Sequence, residues 1–133
     1  MLRYIYDGTF DGFLTVIYSC YYNKMPECIE RKDRYTSSLL FHDNIIISDI
    51  VKSNKVSKAI AQKISKETLI HVYQCFLSEA QGIELKLLKY IQLGFKRGSM
   101  VNDYLVNEFV DEIQRYSRKV GAEAHKFLGL VRF

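Results

Sequence analysis

The sequence contains no tryptophan, one proline and only seven glycines in 133 residues. Because proline and glycine interrupt helices, their scarcity favours long helices over a fold built from many short strands. The three cysteines, Cys20, Cys28 and Cys75, include no Cys-x-x-Cys pair. The sequence therefore predicts neither a disulfide framework nor a zinc site, and reduced thiols in a cytoplasmic protein are the simpler interpretation.

Long apolar runs are also missing. No stretch approaches the roughly 18 apolar residues that span a membrane, and Asp7 and Asp11 interrupt any apolar core of a signal peptide. The chain has no phosphate-binding P-loop, dinucleotide-binding glycine motif, His-Glu-x-x-His motif or serine nucleophile elbow. We expect no membrane contact, metal, cofactor or small-molecule ligand, and the absence of a catalytic motif argues against an enzyme.

Apolar residues make up 48% of the chain, and its length fits a single domain over 1–133. The net charge of +4 is concentrated between residues 49 and 66, where five lysines stand against one aspartate. A local basic excess predicts an anionic partner such as nucleic acid. A solvated helix face is the alternative.

The patterning predicts a predominantly helical α+β fold with about five helices. Residues 2–6 alternate and predict a short strand, whereas the charged segment 27–35 predicts a loop. Two apolar runs predict a hairpin at 38–48, with a buried helix segment as the alternative. Residues 129–133 predict a C-terminal strand, which can pair with the N-terminal strand.

The helices are predicted from apolar residues at 3.6-residue spacing and from their capping or breaking residues. These residues are Thr9, Ser48, Ser65, Gly82 and Gly98. The fifth helix is predicted at 105–127. Four lysines of the second predicted helix lie within about 80° of one another at about 100° per residue: Lys52, Lys55, Lys63 and Lys66.

Four side chains are candidates for chemistry. Asp7 and Asp11 lie four residues apart around a helix start, where they can bind a cation or act as acid and base, although turn formation and capping explain the same residues. Glu79 is near a helix end where its charge is unfavourable, and His125 is near another where imidazolium is favoured. Ordinary surface roles explain both equally simply. An enzyme would need all four to converge on one pocket.

Three motifs resemble a known family: residues 6–14 (YDGTFDGFL), 76–79 (FLSE) and 123–133 (EAHKFLGLVRF). They are similar to a bacterial family of unknown function described as DNA-metabolism proteins. Its members sit beside a radical-SAM protein of DNA modification or repair, and some are fused to a uracil-DNA glycosylase-like domain. The resemblance implies a link to DNA metabolism and carries over no catalytic residues.

Two departures from the family pattern matter. The family has arginine where Lys126 stands and an aromatic residue where Leu130 stands. Family members also continue past residues 131–133, so the resemblance implies an N-terminal portion of a longer architecture or a short member. The chain lacks the Cys-x-x-x-Cys-x-x-Cys motif that would hold a radical-SAM cluster, so it is not that enzyme.

Charge and resemblance together predict an accessory nucleic-acid-binding module of a radical-SAM-linked DNA repair or modification system. Its partners would be DNA and the radical-SAM protein. The predicted nucleic-acid contacts are Lys52, Lys55, Lys63, Lys66, Lys126 and Arg132. Two alternatives stay open: an enzyme that uses the carboxylate and histidine candidates, and a protein-docking partner that uses exposed tyrosine and phenylalanine without contacting nucleic acid.

Overall fold

The computed structural model describes residues 1–98. The elements, in chain order, are β1 (Leu2–Tyr6), α1 (Phe10–Tyr22), β2 (Cys28–Arg31), β3 (His42–Ile45), α2 (Ile50–Lys63), α3 (Lys66–Leu77) and α4 (Ile83–Arg97). The α+β class is confirmed, and the described residues contain four of the about five helices that were predicted. The fifth, at 105–127, lies outside the described residues.

The chain divides into two compact units, residues 1–58 and 59–133, and the boundary falls inside α2. The single domain predicted over 1–133 stays a prediction. None of the helices described up to residue 98 is long and apolar enough to cross a membrane.

The first unit contains a three-stranded parallel sheet in the order β2-β1-β3. In the middle strand, Tyr4 lies opposite Ile29 of β2 and opposite Asn44 of β3. Both edges of β1 are therefore occupied, and the predicted pairing of β1 with a C-terminal strand is wrong. The C-terminal strand itself, predicted at 129–133, lies outside the described residues.

Strand β2 replaces part of the loop that was predicted at 27–35. Of its four residues only Ile29 is buried. Hydrogen bonds from the Glu27 amide to the Leu2 carbonyl (2.9 Å) and from the Lys32 amide to the Tyr6 carbonyl (2.7 Å) extend the pairing at both ends. One buried residue in a charged segment is too weak a pattern to indicate a strand, so the sequence missed it.

The hairpin predicted at 38–48 is wrong, as is the buried helix segment. Strand β3 is a single strand parallel to β1, and the His42 amide donates to the Met1 carbonyl at 2.6 Å. Parallel neighbours cannot be joined by a tight turn, and residues 32–41 provide the connection from β2 across to β3. The two apolar runs are consequently not the arms of one hairpin.

The side chain of Arg3 ties β1 to β3 and to the connection before it. Its guanidinium donates to the two carboxylate oxygens of Asp43 at 2.7 and 3.0 Å and to the carbonyl of Thr36 at 3.0 Å. The rings of Tyr35 and Phe41 lie with their centroids 5.2 and 4.6 Å from its central carbon. Because Arg3 is only 6% exposed, its charge depends on Asp43 for compensation.

Helix α1 covers the face of β1 opposite to Arg3, because Tyr4 and Tyr6 alternate with it along the strand. The rings of Tyr6 and Phe13 have centroids 6.4 Å apart. The Tyr4 hydroxyl donates to the carbonyl of Lys24, just past the helix, at 2.6 Å. These contacts hold α1 to the sheet along its length.

The cap predicted at Ser48 is wrong by one residue. The carboxylate of Asp49 accepts from the amides of Val51 at 2.9 Å and Lys52 at 3.3 Å, and α2 begins at Ile50. A carboxylate in this position satisfies two orphan amides and also favours the positive end of the helix dipole.

In the second unit, the predicted helix signals are confirmed. Ser65 caps α3 by accepting from the Thr68 amide at 3.0 Å, and Gly82, with φ of 74°, precedes α4. Helix α4 ends at Arg97 before Gly98. Gly94 is needed for packing, because a Cβ there would lie 2.5 Å from a methyl group of Ile64. The fully buried core side chains include Ile60, Val72, Cys75, Leu87, Tyr90 and Ile91.

The Arg3–Asp43 pair predicts a specific acid sensitivity. The hydrogen bond from Arg3 lowers the pKa of Asp43 below its ordinary value. A carboxyl whose pKa is lower in the folded than in the unfolded state stabilises the fold above the unfolded pKa, about 3.9, and this stabilisation is lost as the pH falls through the folded pKa. We expect Asp43→Asn to lower the thermal unfolding midpoint by several degrees at neutral pH. The variant should also lose less stability than the parent as the pH falls.

Circular dichroism melts from neutral pH through the acid transition would measure both effects. The matched control is Asp33→Asn, since Asp33 pairs with Arg31 at 3.2 Å but its side chain is 66% exposed. Exposed pairs contribute little, so this change should leave the midpoint near that of the parent. Equal losses in the two variants would contradict the assigned role of Arg3.

Candidate functional site

The motif at residues 6–14 forms the turn at the carboxyl end of β1 and the start of α1. The carboxylate of Asp7 accepts from the amide and the hydroxyl of Thr9 at 2.9 and 2.6 Å, and the Thr9 hydroxyl accepts from the Gly12 amide at 2.9 Å. Gly12 leaves no room for a side chain, because a Cβ there would collide with the Asp7 carboxylate. The predicted Thr9 cap is thus confirmed, and it is embedded in a compact local network.

Asp11 takes part in a second network, which joins the starts of α1 and α2. The Ser53 hydroxyl donates to the Asp11 carboxylate at 2.6 Å. The Thr15 hydroxyl donates to the Asp11 carbonyl at 2.7 Å and lies 3.1 Å from the Asp49 amide, which donates to it. Asp7 and Asp11 therefore lie at the carboxyl edge of the parallel sheet, where α/β proteins bind ligands, but both carboxylates hold helix starts in place.

The two remaining candidates for chemistry lie outside the first unit. Glu79 belongs to the second unit, where it is exposed in the turn after α3 with φ of 52°. His125 lies outside the described residues. In the part of the chain that the structure describes, no three His, Cys, Asp or Glu side chains are placed to hold a metal ion. The enzyme alternative stays a prediction.

Cys20 is not suited to nucleophilic chemistry. All three cysteines are free, and burial raises the pKa of the Cys20 thiol to about 12. A thiol with this pKa is protonated near neutral pH, whereas the thiolate is the reactive form. Cys20 is therefore an apolar core residue of α1.

Lys52 lies beside an aromatic pair that the sequence analysis did not connect with it. Its ammonium nitrogen is 5.4 Å from the centroid of the Tyr18 ring. Tyr18 stacks on Tyr22 of the same helix, with centroids 4.4 Å apart and 24° between the ring planes. We call Tyr18, Tyr22 and Lys52 the tyrosine platform. The lysine segment has no aromatic residues of its own, and α1 supplies them across the helix packing.

The second unit carries a separate set of cations, Lys63, Lys66, Lys96 and Arg97, which we call the second basic cluster. Helix α2 ends at Lys63, and Ser65 is extended, so the helical phase that grouped Lys66 with Lys52 does not continue to Lys66. A Cβ on Gly98 would lie 3.8 Å from the Lys63 carbonyl, so the end of α4 approaches the end of α2. All four side chains are exposed. The predicted contacts Lys126 and Arg132 lie outside the described residues.

A cleft of about 580 Å³ opens at the amino edge of the sheet, next to the end of α1. Asn23, Lys24, His42 and Asn44 are among the residues that line it. The volume falls within the range of small-molecule pockets. Asn23 directly follows Tyr22, so the cleft is adjacent to the tyrosine platform along the chain.

The close approach at Gly12 predicts a coupled pair of substitutions. We expect Gly12→Ala to lower the free energy of unfolding by about 1–3 kcal/mol, the usual cost of overpacking, because the new Cβ displaces the Asp7 carboxylate. Adding Asp7→Ala removes the collision, so the double variant should lose less than the sum of the two single losses. Urea unfolding of the four proteins would measure this.

The control is Gly82→Ala, because no atom lies within 4 Å of a Cβ built at Gly82. This substitution should lower the free energy of unfolding only by the cost of placing alanine in the left-handed backbone conformation, about 1–2 kcal/mol. The loss should be the same whether or not Asp7 is also replaced. Strictly additive losses for Gly12 and Asp7 would rule out the proposed collision.

Comparisons with known proteins bear on the second unit. No curated protein matches the chain, and no solved structure matches it. A family model does match, and the matched stretch begins just before α4. Over residues 81–133 the chain is similar to a domain of unknown function, DUF4130.

Proposed function

We propose that the chain is a nucleic-acid-binding module whose exposed lysines contact the phosphate backbone. The observation that carries the proposal is the position of Lys52 over the ring of Tyr18, which stacks on the exposed ring of Tyr22. Cations beside aromatic rings are the combination that proteins use to hold a phosphate chain and its bases.

The exposed cations of α2 support this proposal. Lys52 and Lys55 are exposed, and neither forms an ion pair with a residue in the described range 1–98. Unpaired cations attract phosphates and release counterions on binding, which gives affinity without base specificity. In the second unit, Lys63 and Lys66 offer the same chemistry with the end of α4 close by.

The family resemblance suggests the setting in which such a module works. It would be an accessory part of a radical-SAM-linked DNA repair or modification system, with DNA and the radical-SAM protein as its partners. A module that positions DNA needs no catalytic residues of its own, which agrees with the absence of a catalytic motif in the sequence.

The proposal predicts how binding responds to salt and to charge reversal. Fluorescence anisotropy with labelled DNA should give an association constant that falls linearly with salt in logarithmic form. Each lost phosphate contact should reduce that slope by about one, so Lys52→Glu/Lys55→Glu should reduce it by about two and weaken binding at every salt concentration.

The matched control is Lys32→Glu/Arg34→Glu, which changes the net charge equally at exposed residues between β2 and β3. An equal loss in this control would show that binding follows net charge alone. That result, or no binding by the parent protein at low salt, would refute the proposed function. The variant Lys63→Glu/Lys66→Glu tests the second basic cluster in the same assay.

A second candidate function is protein docking, and exposed apolar side chains around β3 favour it. More than half of each side chain is exposed in Leu39, Leu40, Ile45, Ile47, Ile50 and Val51. In the described residues β3 is an edge strand of the sheet. Edge strands with apolar side chains recruit further strands from other chains, so an extended apolar segment of a protein partner is the chemistry that fits.

Docking predicts that Ile45→Lys/Ile47→Lys leaves the thermal unfolding midpoint within about 2 °C of the parent, because changes at exposed positions cost little. The same variant should bind less hydrophobic dye, self-associate less in light scattering and retain DNA affinity. Leu77→Lys, a change at an exposed apolar residue of α3 outside this surface, is the control. Unfolding of the double variant would show that these side chains belong to a core and would contradict a docking surface.

A further inference from the structure

We infer that the tyrosine platform stacks the bases of unpaired nucleic acid, so the ligand is single-stranded rather than duplex. The inference rests on the proposed function, because it names the form of nucleic acid that the module holds. It depends on the geometry of Tyr18, Tyr22 and Lys52 and on the polar groups that adjoin them.

Helix α1, which carries the two rings of the platform, is anchored in the core, and the Tyr22 ring is open to solvent. Helix α1 is fixed to the sheet by buried side chains that include Phe13 and Ile17, each 0% exposed. Tyr18 is half-buried, whereas Tyr22 is 72% exposed, so Tyr18 anchors the stack and Tyr22 presents ring surface to water. A ligand that stacks on this surface need not order it first, which preserves binding energy.

Unpaired bases are the ligands that match this surface. Every base has a flat π-face, and stacking on an aromatic side chain is independent of sequence. In a duplex those faces are already stacked on neighbouring base pairs and are covered. The exposed ring of Tyr22 can therefore receive a base of a single strand but not one inside an intact duplex.

Lys52 beside Tyr18 and Lys24 just after the end of α1 are cations that suit the phosphates flanking a stacked base. Lys52 lies over Tyr18, and Lys24, which is exposed, follows Tyr22 by two residues. Lys24 also lines the 580 Å³ cleft, together with His42 and Asn44, whose polar groups can hydrogen-bond the edge of a base. Glu27 is the acidic residue of this cleft, and its carboxylate accepts from the Leu2 amide at 2.9 Å.

The test compares a labelled thymidine oligonucleotide of about 12 nucleotides, within the span of one binding module, with a duplex of equal length, using the full chain. We expect the parent to prefer the single strand. Tyr22→Leu should weaken single-strand binding about fivefold or more, the loss of one stacked base. Duplex binding and its salt slope should be unchanged. Tyr21→Leu, on the same helix but outside the ring pair, is the control.

Because the chain contains no tryptophan, one introduced tryptophan would report base stacking directly through its own fluorescence. Tyr22→Trp keeps an aromatic ring, so single-strand affinity should be retained, and its fluorescence should be quenched as the oligonucleotide binds. Tyr21→Trp should show much weaker quenching. Circular dichroism melts of all variants check that the fold is intact, as the 72% exposure of Tyr22 leads us to expect.

The outcomes separate the two proposals. If the parent binds neither single strand nor duplex, the proposed function and this inference both fail. If the parent binds DNA with the expected salt dependence but Tyr22→Leu binds the single strand as well as the parent does, only the inference is overturned. A loss in Tyr21→Leu as large as that in Tyr22→Leu would also overturn it.

Discussion

The first unit depends on the compensation of one buried charge. Arg3 lies on the central strand, and its guanidinium reaches Asp43 of β3, the carbonyl of Thr36 and the rings of Tyr35 and Phe41. This one side chain therefore contacts both a neighbouring strand and the connection that leads to it. Keeping this charge compensated therefore requires β3 and the connection before it to stay in place against β1.

Helix α1 connects the two regions of the first unit that carry candidate functional side chains. Its start is built by Asp7, Thr9 and Gly12 at the carboxyl edge of the sheet, and its end carries Tyr22 beside the cleft at the amino edge. The first region consists of carboxylates that are occupied by capping. The second combines the exposed ring of Tyr22 with nearby cations, and this difference is why the nucleic-acid proposal draws on the end of α1.

The features that could be predicted are those determined by residues close to one another in the sequence. Thr9, Ser65 and Gly82 act within a few residues of themselves, so their roles could be read from the sequence. Strand β2 could not, because Cys28 pairs with Arg3, which is 25 residues away, and only Ile29 of β2 is buried. The contact between Lys52 and Tyr18 joins two helices, and periodicity within one helix carries no information about it.

The central position of β1 has a consequence for the order of folding. Strand β1 precedes both of its neighbours along the chain, and Asp43, which pairs with its Arg3, lies 40 residues further on. Forming such a pairing closes a large loop, and the chain loses conformational entropy before the new contacts compensate for it. This cost slows folding. The sheet therefore cannot be completed on a growing chain until β3 has been made, and until then β1 exposes two unpaired edges.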